Sequence, residues 1–66
     1  MKKYIGTFRK NPKGFGFVTV KDIKMEDIFI SRNDLNNAID EDEVEVEVKS
    51  ITKKGIDGII TRIIKM

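Results

Sequence analysis

Phe15, Phe17 and Phe29 are the side chains in this sequence whose spacing points most directly to a chemistry. In Gly14-Phe15-Gly16-Phe17-Val18-Thr19-Val20, one face of an extended segment carries Phe15, Phe17 and Thr19, and the other carries Gly16, Val18 and Val20. In Asp27-Ile28-Phe29-Ile30-Ser31, Ile28 and Ile30 share a face and Phe29 stands opposite them. If Val18, Val20, Ile28 and Ile30 fill a core, period-two alternation places the three phenylalanines on the outer face of two neighbouring strands. Exposed rings side by side do little for a small domain, whereas the bases of a single strand stack on such rings at roughly 1–3 kcal/mol each. Gly14 and Gly16 keep that surface open to close approach, and Arg9, Lys10 and Lys13 stand at its edge to meet phosphates. The opposite register, with Phe15 and Phe17 inside, would turn Val18 and Val20 outward together, because a one-residue slip moves every side chain to the other face.

Other chemistry is sparse. There is no His or Cys, so a thiolate or imidazole metal site, a disulfide framework and a His-activated nucleophile are all excluded. The run Asp40-Glu41-Asp42-Glu43 is the one acidic cluster, but consecutive residues point in different directions and no second cluster completes an oxygen-ligand shell. It is read as a solvated turn. Neither Ser31 nor Ser50 has an identifiable activating partner. The expectation is therefore a binding module with no catalytic residues, no metal and no cofactor of its own.

The charge is small in sum and segregated in order. Net charge is +2, yet residues 1–24 hold seven Lys/Arg against Asp22, residues 25–48 hold nine acids against Arg32, and residues 49–66 hold five bases against Asp57. Such a pattern suits one basic face toward a polyanion and one acidic face elsewhere. No apolar run approaches the ~20 residues that span a bilayer, and no signal-peptide core follows Met1. A soluble, cytoplasmic protein with no membrane partner is expected. At 66 residues there is room for one domain, and a domain of this size buries only roughly 60% of the surface its unfolded chain exposes.

Strands must position these residues. Tyr4–Lys10, Gly14–Val20, Asp27–Ser31, Val44–Lys49 and Ile56–Ile64 alternate or are rich in Ile, Val and Phe, with Val44, Val46 and Val48 opposite charged neighbours. Asn11-Pro12-Lys13-Gly14, Lys21–Glu26 and Lys53-Lys54-Gly55 have turn or loop chemistry. Ser31-Arg32-Asn33-Asp34 resembles a capping-box start, after which Leu35, Ala38 and Ile39 can pack one helical turn. Alternation around Ile5 and Thr7 is ambiguous for Phe8, which is placed in the core. The fold class is all-β: five strands with a short helical turn between strands 3 and 4, an order that matches a five-stranded Greek-key barrel, while the strand count alone also fits an SH3-like barrel.

Lys13-Gly14-Phe15-Gly16-Phe17-Val18 resembles the first RNA-binding motif of cold-shock domains, and Ile28-Phe29-Ile30-Ser31 resembles the second, with Ser31 where His is usual. Free cold-shock proteins carry Trp-Phe-Asn ahead of the first motif. This chain has Gly6-Thr7-Phe8-Arg9-Lys10-Asn11-Pro12 and a shorter connection. Gly6-x-Phe8-x-x-Asn11-x-Lys13-Gly14-Phe15-Gly16-Phe17, Asp27-Ile28-Phe29-Ile30, Ala38-x-x-x-Asp42-x-Val44 and Gly58-x-Ile60-x-x-Ile63 together resemble the N-terminal OB domain of ribonuclease R and ribonuclease II-type exoribonucleases, over nearly the whole chain. Glu41 stands where that family usually has Gly. The resemblance implies that residues 1–66 form a single RNA-binding domain of a longer 3′–5′ exoribonuclease, folded as a five-stranded antiparallel OB-fold (cold-shock-like) barrel, with the magnesium-binding aspartates in another domain of the parent chain; a monomer is expected. It also adds Ser31 to the nucleic-acid-binding set of Arg9, Lys10, Lys13, Phe15, Phe17 and Phe29. The partners implied are single-stranded RNA, or by the same stacking single-stranded DNA, and the remaining domains of the parent chain. Two other functions fit the composition: a free-standing cold-shock-like RNA chaperone, and an interaction barrel without RNA affinity.

Overall fold

β-branched residues in alternating runs drive five strands in the computed structural model of the protein, which describes residues 2–65. They are β1 (Lys3–Lys10), β2 (Gly16–Val20), β3 (Ile28–Ile30), β4 (Glu43–Thr52) and β5 (Gly55–Lys65), with a 3₁₀ turn at Arg32–Asp34 between β3 and β4. They close into a barrel in the order β1-β2-β3-β5-β4. The all-β class and the helical turn agree with the sequence reading, but the barrel is not purely antiparallel. β3 and β5 run parallel, with Phe29 beside Asp57, while the other four pairings are antiparallel. Parity requires this: a closed ring with an odd number of strands cannot alternate direction at every neighbour.

The interior is filled by Phe8, Val18, Val20, Ile28, Ile30, Ala38, Val44, Val46, Val48 and Ile60. Val18, Ile30 and Val46 are fully buried, as the alternation requires, and Phe8 is the largest fully buried side chain. Its ring fits because Gly16 leaves space: a Cβ on Gly16 would lie 2.3 Å from Phe8 Cε1 and 2.6 Å from the Arg9 carbonyl oxygen. β4 and β5 are long and carry register shifts near Glu43, Glu45 and Val48, irregularities of the kind that add the curvature a small barrel needs.

Between Asn11 and Gly14 the chain reverses as its residue types suggest. The Lys13 N–H donates to Asn11 Oδ1 at 2.8 Å, the Gly14 N–H to the Asn11 carbonyl at 2.9 Å, and Gly14 has φ of 109°. The segment after β3 departs from the expected capping box. The Ser31 hydroxyl donates to the Asp34 carboxylate at 3.1 Å and caps no backbone N–H. Asn36 and Asn37 both adopt left-handed backbone, which stops the helix after one turn. Ala38 is buried and Leu35 packs on the core, but Ile39 faces solvent at 64% exposure. Glu41, also left-handed at φ of 73°, donates its N–H to the Phe8 carbonyl, and the Phe8 N–H donates to the Asp42 carbonyl at 2.8 Å. The acidic run is thus a turn that docks on β1.

Candidate nucleic-acid interface

β2 and β3 place Phe17 directly opposite Phe29 on the outer face, and Phe15 joins them from the turn just before β2. Ring centroids are 5.9 Å apart for Phe15–Phe17, 5.5 Å for Phe15–Phe29 and 5.6 Å for Phe17–Phe29. These separations lie within the favourable range for aromatic pairs, so the rings brace one another and hold a preorganised surface. Phe17 is 39% exposed, and Phe15 and Phe29 are half-buried by that mutual packing. The three rings expected outside the barrel are outside it, as one cluster.

Two shallow grooves flank the cluster and differ in charge. One is lined by Lys13, Phe15, Phe29, Ser31, Arg32 and Asn33. Here an Arg32 Nη donates to the Lys13 carbonyl at 2.8 Å, and its guanidinium lies over Gly14, where a Cβ would sit 2.8 Å from Nε. The glycine therefore admits an arginine that ties the turn of one motif to the end of the other. The other groove lies beside Phe17 and Phe29 and is lined by Glu26, Asp27, Asp57 and Lys54 among others.

The remaining expected site residues fall around this platform. Arg9 is in register with Phe17 on β1, but its Nε is 3.5 Å from Asp40 Oδ1, which also accepts the Lys10 N–H at 2.8 Å. Asp40 therefore offsets part of the charge at that edge. Lys10 and Lys13 are exposed and make no salt bridge among the described residues. Ser31 is half-buried at the groove wall, its hydroxyl donating to Asp34, which also receives Lys49 Nζ at 2.9 Å. The Lys49 hydrogen bond, helped by Ser31 and opposed by burial, holds the Asp34 carboxyl below its ordinary value. With its proton committed to Asp34, Ser31 presents acceptor lone pairs to the groove.

Arg32, Lys54 and Asp57 were not singled out by sequence reasoning. Two had a legible signal: Arg32 is the lone base in an acidic third of the chain, and Asp57 the lone acid in a basic one. The acidic run contributes no ligand cluster, and no set of three or more potential metal ligands converges among the described residues. No helix among them is long and apolar enough to cross a membrane.

A family model described as the ribonuclease B OB domain matches residues 6–63. The chain is also similar to Ribonuclease R 2 of Lactococcus lactis subsp. lactis (strain IL1403), 47% identical over 62 residues that cover 88% of this chain and 9% of that protein. It thus corresponds to a small part of that relative's length. The match includes both aromatic motifs, the Phe8 core position and the turn at Glu41, so it joins the elements that build the barrel to those that build its outer platform. The closed barrel and these two matches together place the chain in the ribonuclease B OB-domain family, as an OB domain of the ribonuclease R and ribonuclease II type.

Proposed function

We propose that this domain is an accessory module of a longer 3′–5′ exoribonuclease, and that it holds single-stranded RNA by stacking bases on Phe15, Phe17 and Phe29 while Lys13 and Arg32 meet the phosphates. The observation that carries this reading is the three-ring cluster on an outer face, bordered on one side by a groove with two cations and the Ser31 hydroxyl. Rings exposed on a sheet and flanked by positive charge offer a π-face to any base and a counter-charge to the backbone, which is how sequence-tolerant single-strand binding works. Arg9 and Lys10 add a weaker, more distant field, because Asp40 sits beside Arg9. Stacking does not distinguish ribose from deoxyribose, so single-stranded DNA is held by the same surface. The domain supplies no catalytic group; hydrolysis belongs to other domains of the parent chain, in the cytoplasm.

One module with few phosphate contacts binds weakly alone and gains affinity when tethered to others. The test is a titration of a short labelled RNA at several salt concentrations. Phe17→Ala and Phe29→Ala should each weaken binding by roughly 1–3 kcal/mol at every salt concentration. Lys13→Ala should instead lower the slope of log affinity against log salt by about 0.7, the value for one phosphate contact on a single strand. The RNA should be recovered intact with magnesium present. Wild-type affinity in all folded variants, or no binding at low salt, would replace this reading with an interaction barrel.

A further inference from the structure

We propose that Asp57 makes the platform selective for guanine, an inference that rests on the stacking reading above and gives it a base preference. Asp57 lies beside Phe29 in the register of β3 and β5, with its side chain on the same outer face, and shares a groove with Phe17, Phe29 and Lys54. Its carboxylate is exposed, forms no salt bridge among the described residues, and receives only the Ser50 hydroxyl, at 3.4 Å on Oδ2. Among the described residues no other side chain donates to Oδ1 or Oδ2, and the carboxylate is left with acceptor capacity in the groove.

A carboxylate in that place repels phosphate and accepts N–H. The two sides of the platform therefore sort the strand: phosphates toward Lys13 and Arg32, base edges toward Asp57. An unstacked base of a single strand exposes its Watson–Crick edge to such a group. Guanine alone has two adjacent donors there, N1–H and the N2 amino group, which match both oxygens of one carboxylate. Adenine and cytosine each set one amino donor beside a ring-nitrogen acceptor, and uracil sets its single N3–H between two carbonyls, so each brings a lone pair against the carboxylate. Lys54 in the same groove supplies a donor for the guanine O6. Phe17 and Phe29 hold the ring and Asp57 ranks it.

The experiment is a competition among four short strands: an oligouridine, and the same strand with a single central guanosine, inosine or adenosine. Inosine keeps N1–H and O6 and lacks only the N2 amino group. Wild-type protein should bind the guanosine strand about five- to tenfold more tightly than the oligouridine, with inosine in between. Asp57→Asn, which offers one acceptor and turns a donor toward the second guanine N–H, should bring that ratio below about twofold. Its fold is checked by melting temperature, and the inosine comparison needs no variant at all. Equal binding of guanosine and uridine strands by wild type, equal binding of guanosine and inosine strands, or an undiminished ratio in Asp57→Asn would each overturn the assignment. Failure of the platform reading is distinct, because it would abolish binding of all four strands, and this inference with it.

Discussion

On the outer face of β4, Glu43, Glu45 and Glu47 alternate with the buried Val44, Val46 and Val48, and neighbouring side chains answer Glu43 and Glu45. Lys21 Nζ is 3.0 Å from Glu43, the Thr61 hydroxyl donates to Glu45 at 2.8 Å, and Arg62 and Lys3 stand 3.5 and 3.9 Å from the same carboxylate. On the outer face of β2 and β3 the same alternation presents Phe17 and Phe29, joined by Phe15, and these rings contact one another. Both faces cover one core. On β4 the exposed chemistry is answered by side chains of the same barrel, leaving no demand for a partner. On β2 and β3 a surface that loses by facing water remains open, beside cations that are not all neutralised. An outer face whose own fold leaves it unanswered is where a ligand can add free energy.

The largest test of this contrast is whether the aromatic face is separate from the core. Phe8→Ala removes a fully buried ring and should cost about 3–5 kcal/mol. A domain of 66 residues has only about 3–10 kcal/mol in total, so this variant should lose a third or more of its stability and unfold at much lower denaturant than wild type. Phe17→Ala should cost about 1 kcal/mol, the scale of its ring contacts. Urea denaturation measures both, and equal losses would make the platform a part of the core. An intermediate effect is expected at Gly16, between Phe15 and Phe17 but facing inward. Gly16→Ala forces a methyl against the Phe8 ring and the Arg9 carbonyl and should cost about 1–3 kcal/mol. Because the strand must move outward to admit it, RNA affinity should fall as well. Unchanged stability would show that the fit beneath the platform is loose.

The strands, their inward residues and the three outer rings were legible because alternation is a local signal and Val, Ile and Phe decide faces by burial alone. Phe8 lies in the core as expected, although its neighbours Ile5 and Thr7 alternate ambiguously; the missing side chain of Gly16, which makes its pocket, lies on another strand. The parallel pairing of β3 with β5 was not legible, since it follows from ring closure and not from any residue pattern. For the same reason the proximity of Asp57 to Phe29 was hidden: 28 positions separate them in the chain. Ile39 lies in solvent and not in the expected packing, because two consecutive asparagines in left-handed conformation end the turn early, and sequence marks asparagine only as tolerant of that conformation. Arg9 is expected at the edge of the platform, and its approach to Asp40 is hidden from sequence because it depends on how the acidic turn docks against β1.

The smallest effect expected comes from the charged face, and its sign is set by titration. Hydrogen bonds from Thr61 and then Arg62, with Lys3 nearby, hold the Glu45 carboxyl below its ordinary value, and Lys49 does the same for Asp34. A carboxylate that is harder to protonate folded than unfolded adds stability that is complete above its unfolded value, about 4, and is lost as pH falls through the lowered folded value. Lys21, raised by its hydrogen bond to Glu43, works in the opposite sense: its contribution is complete below its unfolded value, about 10.4, and is lost as pH rises through the folded one. Both groups at Glu45 and Glu43 face solvent, so salt and side-chain freedom keep each contribution small. Melting temperature should therefore be flat near neutrality and decline between about pH 5 and pH 2. Glu45→Gln keeps an acceptor for the Thr61 hydroxyl and loses the charge that Arg62 and Lys3 answer. It should melt slightly lower than wild type at neutral pH, and the two curves should converge in acid, with Asp34 still titrating in both. RNA affinity at neutral pH should not follow this change, because Glu45 lines neither groove beside the rings. Parallel melting curves across the acid range would remove the charge pairing as the reason the β4 face is settled. A matching loss of RNA affinity in Glu45→Gln would join the two faces that the barrel otherwise keeps apart.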